Sequence, residues 1–326
     1  MSTVPLASVT GSRMQSDPTE RPFASVQSLR HHIIDDVCTG LGWAPDSRLR
    51  WLFMPLIWPG ARQFAKVCSS FDRQVAEEGI AAAMRRVLTR FAQRVEVDGA
   101  EQIPAEGPLL VLANHPGTFD GVAISAVLGR NNLKILVWAW PLLCHLTATS
   151  DHMIFATSDP YQRMAVLHSV TNRLRGGDAL LIFPTSDLDP DPDVQPGSAE
   201  ALQRWSPSIG LILRRAPETR VLITIVSGVL APKFLRHPLA RLPKNVKRQR
   251  TVAEMLQMLQ QLVVPRSLKL TPRVSFSKPL TLEELADGGG ATGINRRVIA
   301  EAEAVLARHV SNRPGLEQRL AVGVPL

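Results

Sequence analysis

Leu109-Leu-Val-Leu-Ala-Asn-His-Pro-Gly-Thr-Phe-Asp120 is the stretch on which the reading of this chain turns. Leu109 to Ala113 is an unbroken apolar run of strand length. A strand with no polar alternation is buried on both faces, the usual condition of a parallel sheet. Pro116 and Gly117 then mark a turn, with His115 before it and Asp120 after it. Two groups able to handle protons therefore emerge at the carboxyl end of an inner strand, where open α/β sheets bind their ligands. A turn at Pro116-Gly117 can fold Asp120 back onto His115. The carboxylate then holds one ring nitrogen, and the other takes a proton from an alcohol. This is triad logic in which the acceptor's own hydroxyl replaces the protein nucleophile. Taken alone, the same spacing also suits a helix-capping Asp and a His satisfied within its loop.

Outward from this stretch, short apolar runs alternate with helical patterns. Candidate strands are 94–97, 109–113, 134–137, 153–156, 179–183, 221–227 and 273–276, with helices near 120–129, 160–175 and 198–215. The alternation predicts an α/β fold with a mixed, mainly parallel sheet flanked by helices. Four segments follow: a flexible tail (1–25), a helical, membrane-contacting segment (26–93), the α/β domain (94–280) and a helical tail (281–326) interrupted at Gly288-Gly-Gly290. Residues 237–250, with His237, Arg241, Lys244, Lys247, Arg248 and Arg250, read as a basic connection.

The net charge of +8 favours an anionic partner: a phospholipid surface, a phosphorylated ligand or nucleic acid. The chain has neither paired-cysteine zinc spacing nor an aromatic RNA-binding signature, which sets nucleic acid aside. Cys38, Cys68 and Cys144 are far apart and suggest no disulfide framework or metal site, in keeping with a reducing compartment. No Gly-x-Ser-x-Gly elbow and no His-x3-His pair occurs. The N-terminus has no basic start leading into an apolar core, and no run reaches the roughly 18–20 apolar residues that span a bilayer. The expectation is a cytoplasmic protein, peripheral on the cytoplasmic face of the membrane.

Two apolar runs carry four of the six tryptophans. Trp51–Pro59, flanked by Arg48, Arg50 and Arg62, suits the headgroup boundary of a bilayer or helical core packing. Pro55 and Pro59 argue against one long straight helix there. Ile135–Cys144, with Trp138 and Trp140, reads as membrane contact or as a buried strand leading into a helix.

With these residues in view, the chain resembles the phospholipid/glycerol acyltransferase family, which includes lysophosphatidic acid and glycerol-3-phosphate acyltransferases. Asn114-His-x4-Asp120 after an apolar strand resembles the family's first signature. Val95-Glu-Val-Asp-Gly99, Ile103-Pro and Gly107-Pro108 resemble its lead-in. Gly176-Gly-Asp-Ala-Leu-Leu-Ile-Phe-Pro184 resembles the approach to the third motif, Val221–Pro232 the fourth, and Arg273–Leu280 the closing strand. The resemblance implies His115 as general base, Asp120 as its orienting carboxylate, and an acyl thioester, acyl-CoA or acyl carrier protein, as co-substrate with no other cofactor. The acceptor it implies is a glycerolipid such as a lysophospholipid. Asn114, Gly117, Thr118, Phe183, Pro184 and Thr185 are candidate substrate-binding positions.

The chain also departs from the family. The third motif usually reads Phe-Pro-Glu-Gly-Thr-Arg; here Phe183-Pro184 is followed by Thr185-Ser-Asp-Leu188. In the second motif, Met153-Ile-Phe155 fits, but the expected Arg is Ser158. The catalytic pair is kept while the acceptor grip is altered. Arg163, Arg173 and Arg175 could supply a phosphate grip, or form a solvated basic helix face. Asp189, Asp191, Asp193 and Glu200 have calcium-loop spacing, but Val194 stands where glycine is needed and prolines interrupt the turn. The run reads as an exposed acidic loop, or as one in which Asp187 or Asp189 replaces the missing Glu. Two other functions stay open: acyl transfer to an amine or neutral polyol lipid, and lipid binding without catalysis.

Overall fold

The computed structural model describes residues 22–312 apart from 41–43, 45–46, 158, 186, 266 and 287. Most of the expected N-terminal tail, the end of the C-terminal tail, Ser158 and Ser186 therefore lie outside the described residues.

Three helices lead: α1 (Val26–Gly40), α2 (Arg48–Glu78) and α3 (Ile80–Phe91). Then come β1 (Glu96–Asp98), β2 (Leu109–Ala113), α4 (Asp120–Leu128) and β3 (Leu133–Trp138). Two short helices, α5 (Pro141–Cys144) and α6 (Thr147–Ser150), precede β4 (Met153–Ala156), α7 (Pro160–Arg175) and β5 (Ala179–Ile182). The chain continues through α8 (Ser198–Leu202), α9 (Ser208–Arg215), β6 (Arg220–Ser227), α10 (Pro232–Leu235) and α11 (Pro238–Arg241). It closes with α12 (Val246–Val263), β7 (Arg273–Phe276), α13 (Leu282–Leu285) and α14 (Gly290–Ser311).

The strands form one sheet in the order β1-β7-β6-β2-β5-β3-β4. Every pairing is parallel except β6 with β7. The mixed, mainly parallel sheet is as the sequence predicts. β2 lies inside it between β5 and β6, and all five of its residues are buried. Its alternate side chains feed two cores. Leu109, Val111 and Ala113 pack with Met84, Leu88 and Ile124 of α3 and α4 on one face. Leu110 and Leu112 pack with Leu174, Leu213 and Val298 of α7, α9 and α14 on the other. A third core joins α1 to α2 through Leu29, Ile33, Ala61 and Ala65, and Leu142 of α5 sits against it.

Three local expectations are corrected. α2 runs as a single helix through Pro55 and Pro59. Each proline deprives a carbonyl one turn earlier of its partner, but that stretch is at the open end of α2, where Trp51 is 77% exposed and water can take the bond. The helix expected over 198–215 is broken into α8 and α9, because Pro207 cannot continue the ladder and Trp205 turns into the core. The basic connection is mostly helical: Asn245 caps α12 by accepting the Lys247 N–H at 2.8 Å. Among the described residues, no helix is long and apolar enough to cross a membrane.

Candidate active site

The site lies beyond the carboxyl ends of β2, β5 and β6. Asn114 fastens the turn after β2: its Nδ2 donates to the Val226 carbonyl at 2.9 Å, and its Oδ1 accepts the Val226 N–H at 2.8 Å. Its amide is thus spent on β6, holding the next residue in place. His115 Nδ1 meets Asp120 Oδ2 at 2.8 Å. Asp120, fully buried at the start of α4, also accepts the N–H groups of Gly117 at 3.1 Å and Gly121 at 2.5 Å. An ionised carboxylate only accepts, so the His115 nitrogen facing it carries a proton and Nε2 is the atom left for chemistry.

Phe183, directly after β5, stacks on the imidazole with ring centroids 4.3 Å apart. Pro184 is buried beside it. Burial opposes a charged imidazole here, but the Asp120 carboxylate, with Glu254 and Asp189 beyond it, outweighs that and raises His115 to about 9.

The Asp-Pro loop is a clamp. Asp189 Oδ2 accepts the His115 N–H at 2.9 Å, the Asp189 N–H donates to the His115 carbonyl at 2.7 Å, and Thr185 Oγ1 donates to Asp189 Oδ2 at 3.2 Å. Asp191, buried, accepts the N–H groups of Asp193, Gly228, Val229 and Leu230 at 3.0–3.3 Å. Burial pushes its carboxyl up to about 6 despite those donors. Asp193 accepts the Ser227 hydroxyl at 2.8 Å. The expectation of an exposed acidic loop is therefore corrected: Asp189 and Asp191 are inside, tying the β5 and β6 ends to His115. Asp187 is exposed and paired with Lys247 at 2.6 Å.

The three helix arginines are not brought to this site. Arg173 pairs with Asp178 at 3.7 Å, Arg175 donates to the Arg215 carbonyl at 2.8 Å, and neither they nor Arg163 lines the cavity described next.

That cavity, about 630 Å³, opens from His115, Gly117, Thr118 and Phe183. Its walls are mainly apolar: Phe64 of α2, Met84 and Phe91 of α3, Trp138 and Leu143 near α5, and Met258 of α12. The volume is within the roughly 300–1,000 Å³ of ligand sites. Cys68 also lines it, but burial, with Asp72 nearby, raises that thiol to about 12, which disfavours the nucleophilic thiolate.

Glu254 lines the cavity too, buried on α12, with Thr118 Oγ1 donating to its Oε2 at 2.6 Å. Burial, opposed by the Thr118 bond and reinforced by Asp120, raises Glu254 to about 7. Sequence reasoning missed this residue. Its helix was signalled by Val252, Met255, Leu256, Leu259 and Leu262 at helical spacing, but nothing local aims a side chain at a motif more than a hundred residues earlier.

The acyltransferase family model matches residues 94–203. The lead-in and the first three motifs that carry the resemblance lie within the matched residues, as do His115, Asp120 and the Asp189 clamp. Curated relatives include uncharacterized proteins of Mycobacterium tuberculosis and Mycobacterium bovis, each 32% identical over 99 residues, which is 26% of this chain. The chain spans 28% of the length of these relatives. Among solved structures, the 1-acyl-sn-glycerophosphate (LPA) acyltransferase PlsC from Thermotoga maritima is similar over 89% of this chain and 97% of that one, with 13% identity and a TM-score of 0.40.

Proposed function

We propose that this protein transfers a fatty acyl group from acyl-CoA or acyl carrier protein to a hydroxyl of a lipid acceptor. The observation that carries the reading is the His115–Asp120 pair on the wall of a mainly apolar cavity. The cavity takes the acyl chain. His115 Nε2 accepts the proton as the acceptor oxygen bonds to the thioester carbonyl carbon. The carbon–sulfur bond then breaks, and the same proton passes to the leaving thiolate. Asp120 orients the ring and stabilises the imidazolium between the two steps.

The acceptor we favour is a lysophospholipid with a shielded phosphate, or a neutral monoacyl lipid. Two observations support this. Arg173 and Arg175 are engaged elsewhere, Arg163 does not line the cavity, and the Asp187 carboxylate occupies Lys247. Contact with the membrane is part of the same proposal. Trp51 and Leu52 are exposed at the start of α2, and Trp138 is 60% exposed beside the cavity. Leu239, Leu242 and Val246 are exposed among Arg241, Lys244 and Lys247. Aromatic and aliphatic groups among cations suit an anionic interface, which supports a peripheral position on the cytoplasmic face as part of this reading.

The test is thioester consumption with no acceptor, glycerol-3-phosphate, lysophosphatidic acid and a neutral monoacyl lipid, compared side by side. Acceptor-dependent thiol release with poor use of glycerol-3-phosphate is expected. No acceptor-dependent release would leave a lipid-binding protein instead.

A further inference from the structure

α12 brings into the catalytic cavity a carboxylate that no motif of the acyltransferase domain contains. Glu254 is against the turn that carries the motif. A Cβ on Gly117 would stand 3.6 Å from Glu254 Oε1, and Thr118 hydrogen-bonds Oε2. The other acids around the base are engaged, although Asp189 Oδ1 is buried without a hydrogen-bond partner and has only Arg204 at 3.9 Å. Asp120 holds the His115 ring and two backbone N–H groups, Asp189 holds the His115 backbone, and Asp187 is outside with Lys247. Arg250, one turn before Glu254 on α12, donates to the Leu188 carbonyl at 3.3 Å.

Glu254, like Asp120, lines the cavity, and its hydrogen bonds come from Thr118. A carboxylate has about four lone-pair sites, and the hydroxyl and backbone N–H of Thr118 take up part of that capacity. Burial leaves the remainder to be satisfied by whatever enters. An ionised Glu254 disfavours a phosphate oxygen there, because two anions in a site of low polarity repel. A hydroxyl can satisfy it, and gains a charge-assisted hydrogen bond.

We propose that Glu254 grips a second, non-reacting hydroxyl of the acceptor, so that the preferred acceptor is a neutral lipid with a diol or polyol headgroup. The reacting hydroxyl goes to His115, and its neighbour goes to Glu254. The inference rests on the acyl-transfer reading above and adds a headgroup specificity to it. It also places the missing acidic residue of the third motif on a different element, since neither Asp187 nor Asp189 faces the acceptor.

The experiment uses the full-length enzyme, one acyl thioester and two acceptors: a 1-monoacylglycerol, and the same molecule with one hydroxyl capped as a methyl ether. Wild type should prefer the free diol by roughly ten- to a hundredfold in kcat/KM, the worth of one hydrogen bond to a charged group. Glu254→Gln should bring that ratio toward one, chiefly by raising KM for the diol. Glu254→Asp, with its carboxylate drawn back by one methylene, should give an intermediate ratio. It also asks the same question if the Gln variant does not fold. A wild-type ratio of one, or equal losses on both acceptors in Glu254→Gln, overturns the inference and reduces Glu254 to a support for the motif turn. Transfer to lysophosphatidic acid alone also overturns it while leaving acyl transfer standing. Thioester that no acceptor consumes sinks the underlying reaction itself.

Discussion

Asp189 and His115 hold each other by the backbone, with the Asp189 carboxylate accepting the His115 N–H at 2.9 Å and the Asp189 N–H donating to the His115 carbonyl at 2.7 Å. The residue that would do the chemistry is thus fixed from a loop 74 positions away in the chain. Asp189→Ala removes the acceptor and leaves a buried N–H unpaired, which costs about 1–3 kcal/mol. It also frees the ring to drift, and a 1 Å misplacement can cost about 10²-fold in rate. We expect kcat to fall by that order with a lower melting temperature. Asp189→Asn, which still offers an amide oxygen, should keep most of the activity. Rates and thermal melts of the two variants provide the check.

The acid–base pair makes its own prediction. His115→Ala should cost about 10²–10⁴ in rate with the fold intact. With His115 raised to about 9, the neutral base forms only as the pH climbs, so kcat/KM should increase with pH up to about 9. Asp120→Asn removes the charge that favours the imidazolium, so its acid limb should move to lower pH even as the maximal rate drops. Glu254 titrates beside His115, and the limb reports the pair as a whole. A profile flat from pH 6 to 9 would contradict the assignment of His115.

His309 contributes to the pH dependence of stability in acid. Its ring is buried between Ser275 Oγ at 2.8 Å and Ser227 Oγ at 2.7 Å. Burial, with Arg273 close by, depresses its pKa from 6.5 to about 4. The folded state therefore binds fewer protons than the unfolded one, and the contribution is present above pH 6.5 and lost as pH falls through about 4. At about 1.36 kcal/mol per pKa unit, it amounts to roughly 3 kcal/mol. Asp191, raised to about 6, acts in the opposite direction over part of that range. The measurement is therefore the difference in denaturant stability between wild type and His309→Gln, which should shrink between pH 6.5 and 4.

Membrane contact through α2 is testable by flotation. Trp51 is exposed, and Trp58 stands under Arg30 and Arg62, whose guanidinium carbons are 5.0 and 5.8 Å from its ring centroid. Trp51→Ser with Leu52→Ser should reduce binding to anionic vesicles and leave the melting temperature unchanged. Raised salt should also weaken it, since exposed charges are screened over about 10 Å at 0.1 M. Equal flotation of wild type and variant would remove this surface from the proposal.

What the sequence determined by itself was local and periodic. Leu109–Ala113 and Val221–Ser227 could be read as buried strands because uninterrupted apolar runs have few other uses, and all seven expected strands are present within a residue or two of their predicted bounds. The motif around His115 was equally legible, since strand, turn and helix start are contiguous and the Nδ1–Asp120 contact closes over only five positions. The tertiary structure alone decided which distant groups share the site. Arg173 and Arg175 belong to a helix, α7, that packs on the sheet, so their charges meet Asp178 and the Arg215 carbonyl and not the cavity. Asp189 and Glu254 reach His115 and Thr118 because the loop after β5 and the whole of α12 fold over the ends of the central strands. Hydrophobic spacing specifies which face of an element is buried, but the partner that covers it is chosen by the packing of the complete chain.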